Sequence, residues 1–291
     1  MVTLFINYLA YERRFSAHTI KAYKSDLQQF SSYLSHYFPA TKLEQANHKT
    51  LRTWIVSLVE NKIGYRSINR KIASLRAFYT FLLKREYIDE NPTLQLQTLK
   101  SKKTLPSFIQ EEELLKLLDR LEFKNTFEGW RDKLILELLY GTGIRLSELI
   151  SLRESDINLN ENRIKVLGKR NQERIIPFPT SLNRVIEKYN TQKSFTGKRN
   201  ERLLVTSQDM PCYPMMIYRI VRKYLITCTS SDRHSPHVLR HTYATHLLNK
   251  GADLNAIKEM LGHASLSATQ IYTHNTLDKL KKIFDQAHPK A

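Results

Sequence analysis

Cysteine is scarce in this 291-residue chain: Cys212 and Cys228 are the only two. Two cysteines cannot build a disulfide framework, so free thiols in a reducing, cytoplasmic setting are expected. Glycine (8) and proline (9) are also few, which excludes collagen-like and low-complexity chains. No apolar run reaches the ~18 residues that a membrane span needs. Met1 to Ala10 is apolar, but no basic residue precedes it and Arg13-Arg14 follows it, the wrong order for a signal peptide. No membrane partner is expected. Acidic residues are in short supply as well: 28 Asp and Glu stand against 46 Lys and Arg, a net charge of +18. Such an excess asks for a polyanion, and nucleic acid comes first among polyanions. A merely basic surface of the ribosomal or chaperone kind is the alternative.

What is present is enough for real cores. Hydrophobic residues make up 41% and aromatics 10% of the chain, which excludes disorder throughout, and the length suggests about two domains. Residues 1–100 carry 15 basic and 7 acidic side chains, net +8, leaving +10 for the remainder. Two basic modules are expected, placed to grip a duplex from both sides.

The first hundred residues read as helices. Ile20, Tyr23, Leu27, Phe30 and Leu34 recur at three and four behind Ser16, a plausible N-cap. Leu51, Trp54, Ile55 and Leu58 form a second stripe. Ile68, Ile72, Leu75, Phe78 and Leu82 form a third, behind Ser67. The other face of this third helix carries Arg70, Lys71 and Arg76, expected to meet phosphates. Asn91-Pro92 ends the region, since proline restricts the residue before it. Residues 99–106, with Lys100, Lys102 and Lys103, read as a linker that can lie along DNA. A further helix is expected from Ser107, with Gln110 completing a capping box, and another from Trp130 to Tyr140. Between Asp156 and Thr180 the period changes to alternation, broken at Asn160-Glu161-Asn162 and at Gly168 to Glu173. Three short antiparallel strands are expected there, and Leu203-Leu204-Val205 reads as another. Helix returns from Pro236, with Gly251 and Gly262 suited to C′ positions.

Three familiar motifs fail. Gly141-Thr142-Gly143 would need glycine at 146 for dinucleotide binding, and Leu146 is there. Gly168-Lys169 would need Ser or Thr next for a P-loop, and Arg170 is there. Five of the ten histidines lie between His237 and His274, and His237 and His241 have a zinc-capable spacing. A zinc protease needs Glu directly after the first histidine, where Val238 stands, and Arg240 would set a cation beside the metal. No metal and no cofactor is expected.

Breaking a phosphodiester without a metal requires fixed cations aimed at the nonbridging oxygens, a nucleophile, a base for it and an acid for the leaving oxygen. The second half holds these residue types in order. Arg145 follows Gly143-Ile144, and Lys169 follows Gly168. His237 and Arg240 lie in His237-Val238-Leu239-Arg240-His241. His263 ends Leu261-Gly262-His263, and Tyr272 lies nine residues beyond it. Together these segments resemble the tyrosine recombinases, and among them the bacterial Xer type. The resemblance is nearly residue for residue in Ser235-Pro236-His237, in Leu261-Gly262-His263-Ala264-Ser265, in Gln270-Ile271-Tyr272-Thr273-His274 and in Phe284-Asp285-Gln286-Ala287-His288-Pro289. It is looser at Ser16 to Tyr23 and at Asn91-Pro92, and it spans essentially the whole chain. One departure is Arg170, where relatives usually carry glycine; another is Gln172, where they carry lysine.

The resemblance implies a mainly α fold. A helical, SAM-like core-binding domain would span residues 1–98. An α+β catalytic domain with a small antiparallel sheet would span 107–291, ending in a docking helix at 276–286. It implies that Tyr272 attacks phosphorus and leaves a 3′-phosphotyrosine with a free 5′-hydroxyl. Arg145 and Arg240 would clamp the phosphate, Lys169 would protonate the leaving 5′ oxygen, His237 would act as acid and base, and His263 would hydrogen-bond the phosphate. Glu148 is expected as the structural partner of Arg145, and His241 as a support for the fold. The implied partners are double-stranded DNA at a dif-like site, a homo- or hetero-tetramer with a related recombinase, and a septal, FtsK-like DNA translocase, in the resolution of chromosome dimers. The C-terminal helix would dock into a neighbouring protomer; docking on its own domain as a lid is the alternative. An integrase of a mobile element is the nearest alternative, and the short N-terminus without an arm-binding domain favours the Xer reading. A noncatalytic DNA-binding regulator is the alternative from another class.

Because two basic modules displace many counterions, duplex binding is expected to weaken steeply as salt rises, by about 10³-fold or more between ~50 and ~200 mM. Anisotropy titrations check this, and a flat response contradicts the clamp. Cleavage is expected to proceed in EDTA.

Overall fold

The computed structural model describes all residues except 101–107, 121–122, 169–171, 230–232, 263–273 and 291, and all their side chains except those of 120 and 274–279. The chain divides into two compact units, Met1–Thr104 and Leu105–Ala291. Among the described residues, no helix is long and apolar enough to cross a membrane.

The first unit is helical. Helix α1 spans Val2–Asn7 and continues helically through Tyr8–Glu12, α2 spans Ala17–Tyr37, α3 His48–Glu60 and α4 Tyr65–Lys84. The apolar opening of the chain is part of the core: Phe5 and Leu9 are buried against Phe78 and Phe81 of α4. Ser16 caps α2 as expected, accepting from Thr19 N at 3.3 Å, and Asn47 caps α3 from Thr50 N at 3.0 Å. Helix α4 begins before Ser67, behind Gly64. Its buried stripe, Ile68, Ile72, Leu75, Phe78 and Leu82, matches the expected one.

The polar face of α4 needs a correction. Lys71 is buried, and its ammonium donates to Asp26 Oδ1 at 3.0 Å and to Gln29 on α2 at 2.5 Å. Asp26, itself buried, also accepts from Ser74 at 2.8 Å and from Arg70. Lys71 therefore neutralises an internal carboxylate and does not face phosphate. A buried carboxylate left unpaired is costly, so the lysine turns inward. Arg70 bonds the same carboxylate but keeps an exposed guanidinium, and half-buried Arg76 donates to the Leu96 carbonyl. Leu99, placed in the linker from sequence, is tied back to this unit by two bonds of 2.8 Å with Asn69.

The second unit wraps around α6, Phe127–Thr142, whose residues from Leu134 to Thr142 are all buried. A helix buried on every side belongs at a core's centre. Around it lie α5 (Glu111–Leu115), continued helically to Arg120, α7 (Leu146–Ser151), α8 (Ser181–Phe195), α9 (Pro214–Cys228), α10 (Pro236–Asn249), α11 (Leu254–Leu261) and α12 (His274–Ala287). Helix α5 starts at Glu111 with Gln110 as its N-cap and no side-chain cap bond. Its first turn is Glu111-Glu112-Glu113, which the helix dipole favours. Ser107 lies outside the described residues. The three expected strands are β1 (Ile157–Asn158), β2 (Arg163–Leu167) and β3 (Glu173–Pro177), antiparallel in that order, with Ile164 opposite Ile176 and Val166 opposite Arg174. Leu203-Leu204-Val205 is buried but forms no strand. Val205 makes one isolated bridge, to Pro211, whose missing N–H prevents a ladder from extending. Gly251 and Gly262 take positive φ just past their helices, as expected.

The C-terminal helix is present as expected, as α12. In this single chain, Leu280, Phe284 and Ala287 of α12 are buried in the core of their own unit. His288 stacks on Phe284 at 4.7 Å, and Lys290 bonds Glu137 at 2.8 and 3.0 Å and Asp119 at 2.9 Å. The apolar side chains of a short helix must be covered, and its own core is within reach.

Burial among Tyr140, Tyr243 and Phe284 pushes the His288 pKa down to about 3 from 6.5. Folded His288 stays neutral, while the unfolded chain takes up a proton below pH 6.5. Its contribution is therefore complete above that pH and is lost as pH falls from there toward 3. We expect urea melts to show this unit weakening by about 2 kcal/mol between pH 7 and 5 from this group. His246 is shifted the same way by burial, so His288→Phe should flatten the dependence in part.

Candidate active site

Arg145 is placed by a sharp exit from α6. Gly143, with φ of +60°, ends the helix by donating to Leu139 O at 3.1 Å. Left-handed geometry costs glycine little. A Cβ at Gly143 would lie 2.4 Å from the Tyr243 ring, so glycine is required sterically as well. The chain then extends to Arg145, the residue before α7.

Glu148, one turn into α7 and buried, holds Arg145 from two directions. Glu148 Oε2 accepts the Arg145 backbone N–H at 2.8 Å, and Oε1 accepts its guanidinium at 2.8 Å. The expected pairing is present. The second Arg145 nitrogen donates to Gly262 O at 2.7 Å. Arg240, on α10, donates to Gly143 O and, at 2.6 Å, to Leu261 O. Arg145 thus hangs on the end of α11, and Arg240 on the ends of both α6 and α11. A third arginine, Arg174 of β3, forks onto both Glu148 oxygens at 2.8 Å and donates through Nε to Met260 O at 2.9 Å.

Three arginines and one glutamate leave 3 − 1 = +2 in this cluster. Burial alone would raise the Glu148 pKa, but Arg174 and Arg145 hold it at about 2, so the carboxylate stays charged. Burial, with the Arg145 charge beside it, pushes Arg240 down to about 10. Arg240 still carries its charge at neutral pH. A net-positive cluster with its guanidinium planes fixed in advance suits an anion with several oxygens.

His237 lies exposed on the first turn of α10, one turn before Arg240. His241 is half-buried on the same helix. Lys169, His263 and Tyr272, and Lys102 and Lys103, lie outside the described residues. On either side of the segment holding Lys169, Gly168 N–H donates to Gln172 O at 2.8 Å. Of the sequence-derived site residues, the structure brings Arg145 and Arg240 together, and His237 lies one turn before Arg240 on α10. Of the basic residues chosen in the first unit, Lys71 is occupied internally.

Arg174 was not singled out from the sequence. A signal existed: Arg174 lies two residues before buried Ile176, in the inward phase of its strand. A charge in that phase marks a buried partner. Among the described residues, no group of three or more His, Cys, Asp or Glu could hold a metal ion.

A helical basic unit, followed by a helical unit with a small antiparallel sheet and an arginine cluster built for an anion, defines a protein that works on a phosphodiester backbone. Residues 107–278 match the phage integrase family, and residues 2–86 match the N-terminal SAM-like domain of phage integrases. The chain belongs to this family: it is a site-specific tyrosine recombinase, an enzyme that cuts and rejoins DNA. It is 37% identical over 315 residues to tyrosine recombinase XerC of Chlorobaculum parvum, covering 99% of this chain and 94% of that protein. It is 40% identical over 290 residues to tyrosine recombinase XerC of Staphylococcus carnosus, covering 99% and 96%. The crystal structure of XerH site-specific recombinase bound to a palindromic difH substrate shares the fold, with a TM-score of 0.73 at 21% identity over 97% of this chain and 83% of that one.

Gly143→Ala adds left-handed strain and a clash with the Tyr243 ring, and is expected to cost about 2–5 kcal/mol. Gly141→Ala would place its Cβ 3.2 Å from Pro179 within the helix, and should cost much less. Thermal melts of the two variants check the order, and equal losses would contradict it.

Proposed function

We propose that this recombinase resolves chromosome dimers at a dif-like DNA site, in the cytoplasm, as a tetramer with copies of itself or of a related recombinase. Full-length similarity to XerC proteins supports the reading, and the arginine pair fixed by Glu148 and three backbone carbonyls is the observation that carries its chemistry. A septal DNA translocase is the class of partner that would bring two sites together.

The proposed chemistry is as follows. The Tyr272 oxygen attacks phosphorus while Arg145, Arg240 and His263 bind the nonbridging oxygens. The phenol proton passes to His237, since an ordinary tyrosine, with a pKa near ~10, is mostly neutral at pH 7. The bond from phosphorus to the 5′ oxygen breaks, and Lys169 supplies the proton to that oxygen. A 3′-phosphotyrosine and a free 5′-hydroxyl result. Attack by a 5′-hydroxyl from the other duplex reverses each transfer, so the phosphate bond energy is conserved and ligation needs no ATP. In the first unit, the exposed guanidinium of Arg70 is a candidate phosphate contact. Lys102 and Lys103 are proposed to track the duplex.

Tyr272→Phe should abolish the covalent adduct while leaving affinity for the duplex nearly intact. An adduct in the variant would place the nucleophile elsewhere. Arg145→Ala and Arg240→Ala should each slow cleavage by at least ~10²-fold. Sequencing the chromosomal DNA trapped on the wild-type enzyme should return a single dif-like chromosomal site. Trapping only at the ends of a mobile element would replace the chromosomal role with an integrase role.

A further inference from the structure

Arg174 is 5% exposed, so its guanidinium cannot reach a DNA backbone. All three of its nitrogens are engaged, two on Glu148 and one on Met260 O. Glu148 Oε1 is shared between Arg174 and Arg145, so the plane of one guanidinium sets the plane of the other through a single oxygen. The flanks of the Arg174 side chain matter as much as its bonds. A Cβ at Gly262 would lie 3.1 Å from Arg174 Nε and Nη1, and a Cβ at Gly168 would lie 3.3 Å from Arg174 Nη1. The side chain therefore lies flat against the two glycines that immediately precede His263 and Lys169. Gly262 O is also an acceptor for Arg145. One buried fork thus touches the partner of Arg145 and the two glycines that lead toward Lys169 and His263.

We propose that Arg174 is a positioning residue for DNA cleavage: it locks Arg145, Gly168 just before Lys169, and Gly262 just before His263 in one relative arrangement. The proposal rests on the reading of Arg145, Lys169 and His263 as catalytic. Arginine is needed at this position because its planar fork meets two carboxylate oxygens and a carbonyl at once; lysine offers a single point of charge. A side chain with this role leaves affinity for DNA alone and acts on the rate of the chemical step.

The test uses the full chain and a nicked suicide duplex bearing the site on which the wild-type enzyme is trapped. Arg174→Lys should bind this duplex within about threefold of wild type, while its single-turnover cleavage at saturating DNA slows about 10–100-fold, the range for groups that orient a ligating or catalytic side chain. In an Arg145→Lys background the same replacement should cost less than about threefold, because the group it aims is already compromised. Wild-type cleavage by folded Arg174→Lys, or losses that simply multiply in the double variant, would overturn the proposal. Wild-type cleavage by Arg145→Lys and Arg145→Ala would instead overturn the catalytic reading beneath it. If Arg174→Lys does not fold, Arg174→Gln with Glu148→Gln removes both buried charges together and carries the same test. Slow cleavage at unchanged affinity supports the proposal, and wild-type cleavage overturns it.

Discussion

Glu148 is almost wholly buried, yet it carries a charge between two guanidinium groups. A carboxylate in such a place is stable only while its partners stay. It is also the group to which the exposed part of the site is fastened. Arg145 takes its direction from it, and Arg174 reaches it from the sheet. The end of α11 is gripped by the same two arginines through the carbonyls of Met260 and Gly262, and by Arg240 through that of Leu261. Three elements that are far apart in the chain meet at one anion.

The consequence for catalysis is preorganisation. Two cations that would repel each other are held close by bonds that exist before any DNA arrives. A phosphodiester entering the site meets donors already oriented, so little reorganisation remains for the moment of reaction. Gly143 serves the same end, since its left-handed turn and its carbonyl set Arg145 and Arg240 at once. The first unit uses a related device at Asp26, where Lys71, Arg70 and Ser74 fasten α2 to α4. In both places a buried carboxylate joins helices, and some of the chain's cations are drawn inward from the surface.

The C-terminus shows how tightly the second unit is closed. Phe284 and His288 pack against Tyr140 and Tyr243, and the chain ends on the Lys290 ion pairs with Glu137 and Asp119. Because α12 begins two residues after Tyr272, its seat on the core lies next in sequence to the proposed nucleophile. Tyr243 links this region to the site, since its ring fills the space over Gly143.

Local physics made much of this legible in the sequence. Periodicity placed α2, α3, α4 and α6, alternation placed the three strands, and the order from Arg145 to Tyr272 indicated the chemistry. Such features depend on neighbours a few residues apart, and those are visible in one dimension. Helices α7, α8 and α9 were not read, and Leu203-Leu204-Val205 was taken for a strand although Pro211 denies it a ladder. Lys71 and Arg174 show the deeper limit. On paper each is one more cation in a chain of 46 basic residues. Only the approach of Asp26 in one case, and of Glu148 with the two glycines in the other, decided which charges turn inward and which remain for DNA. A charge goes where its partner is, and the partner's position is a property of the packed chain.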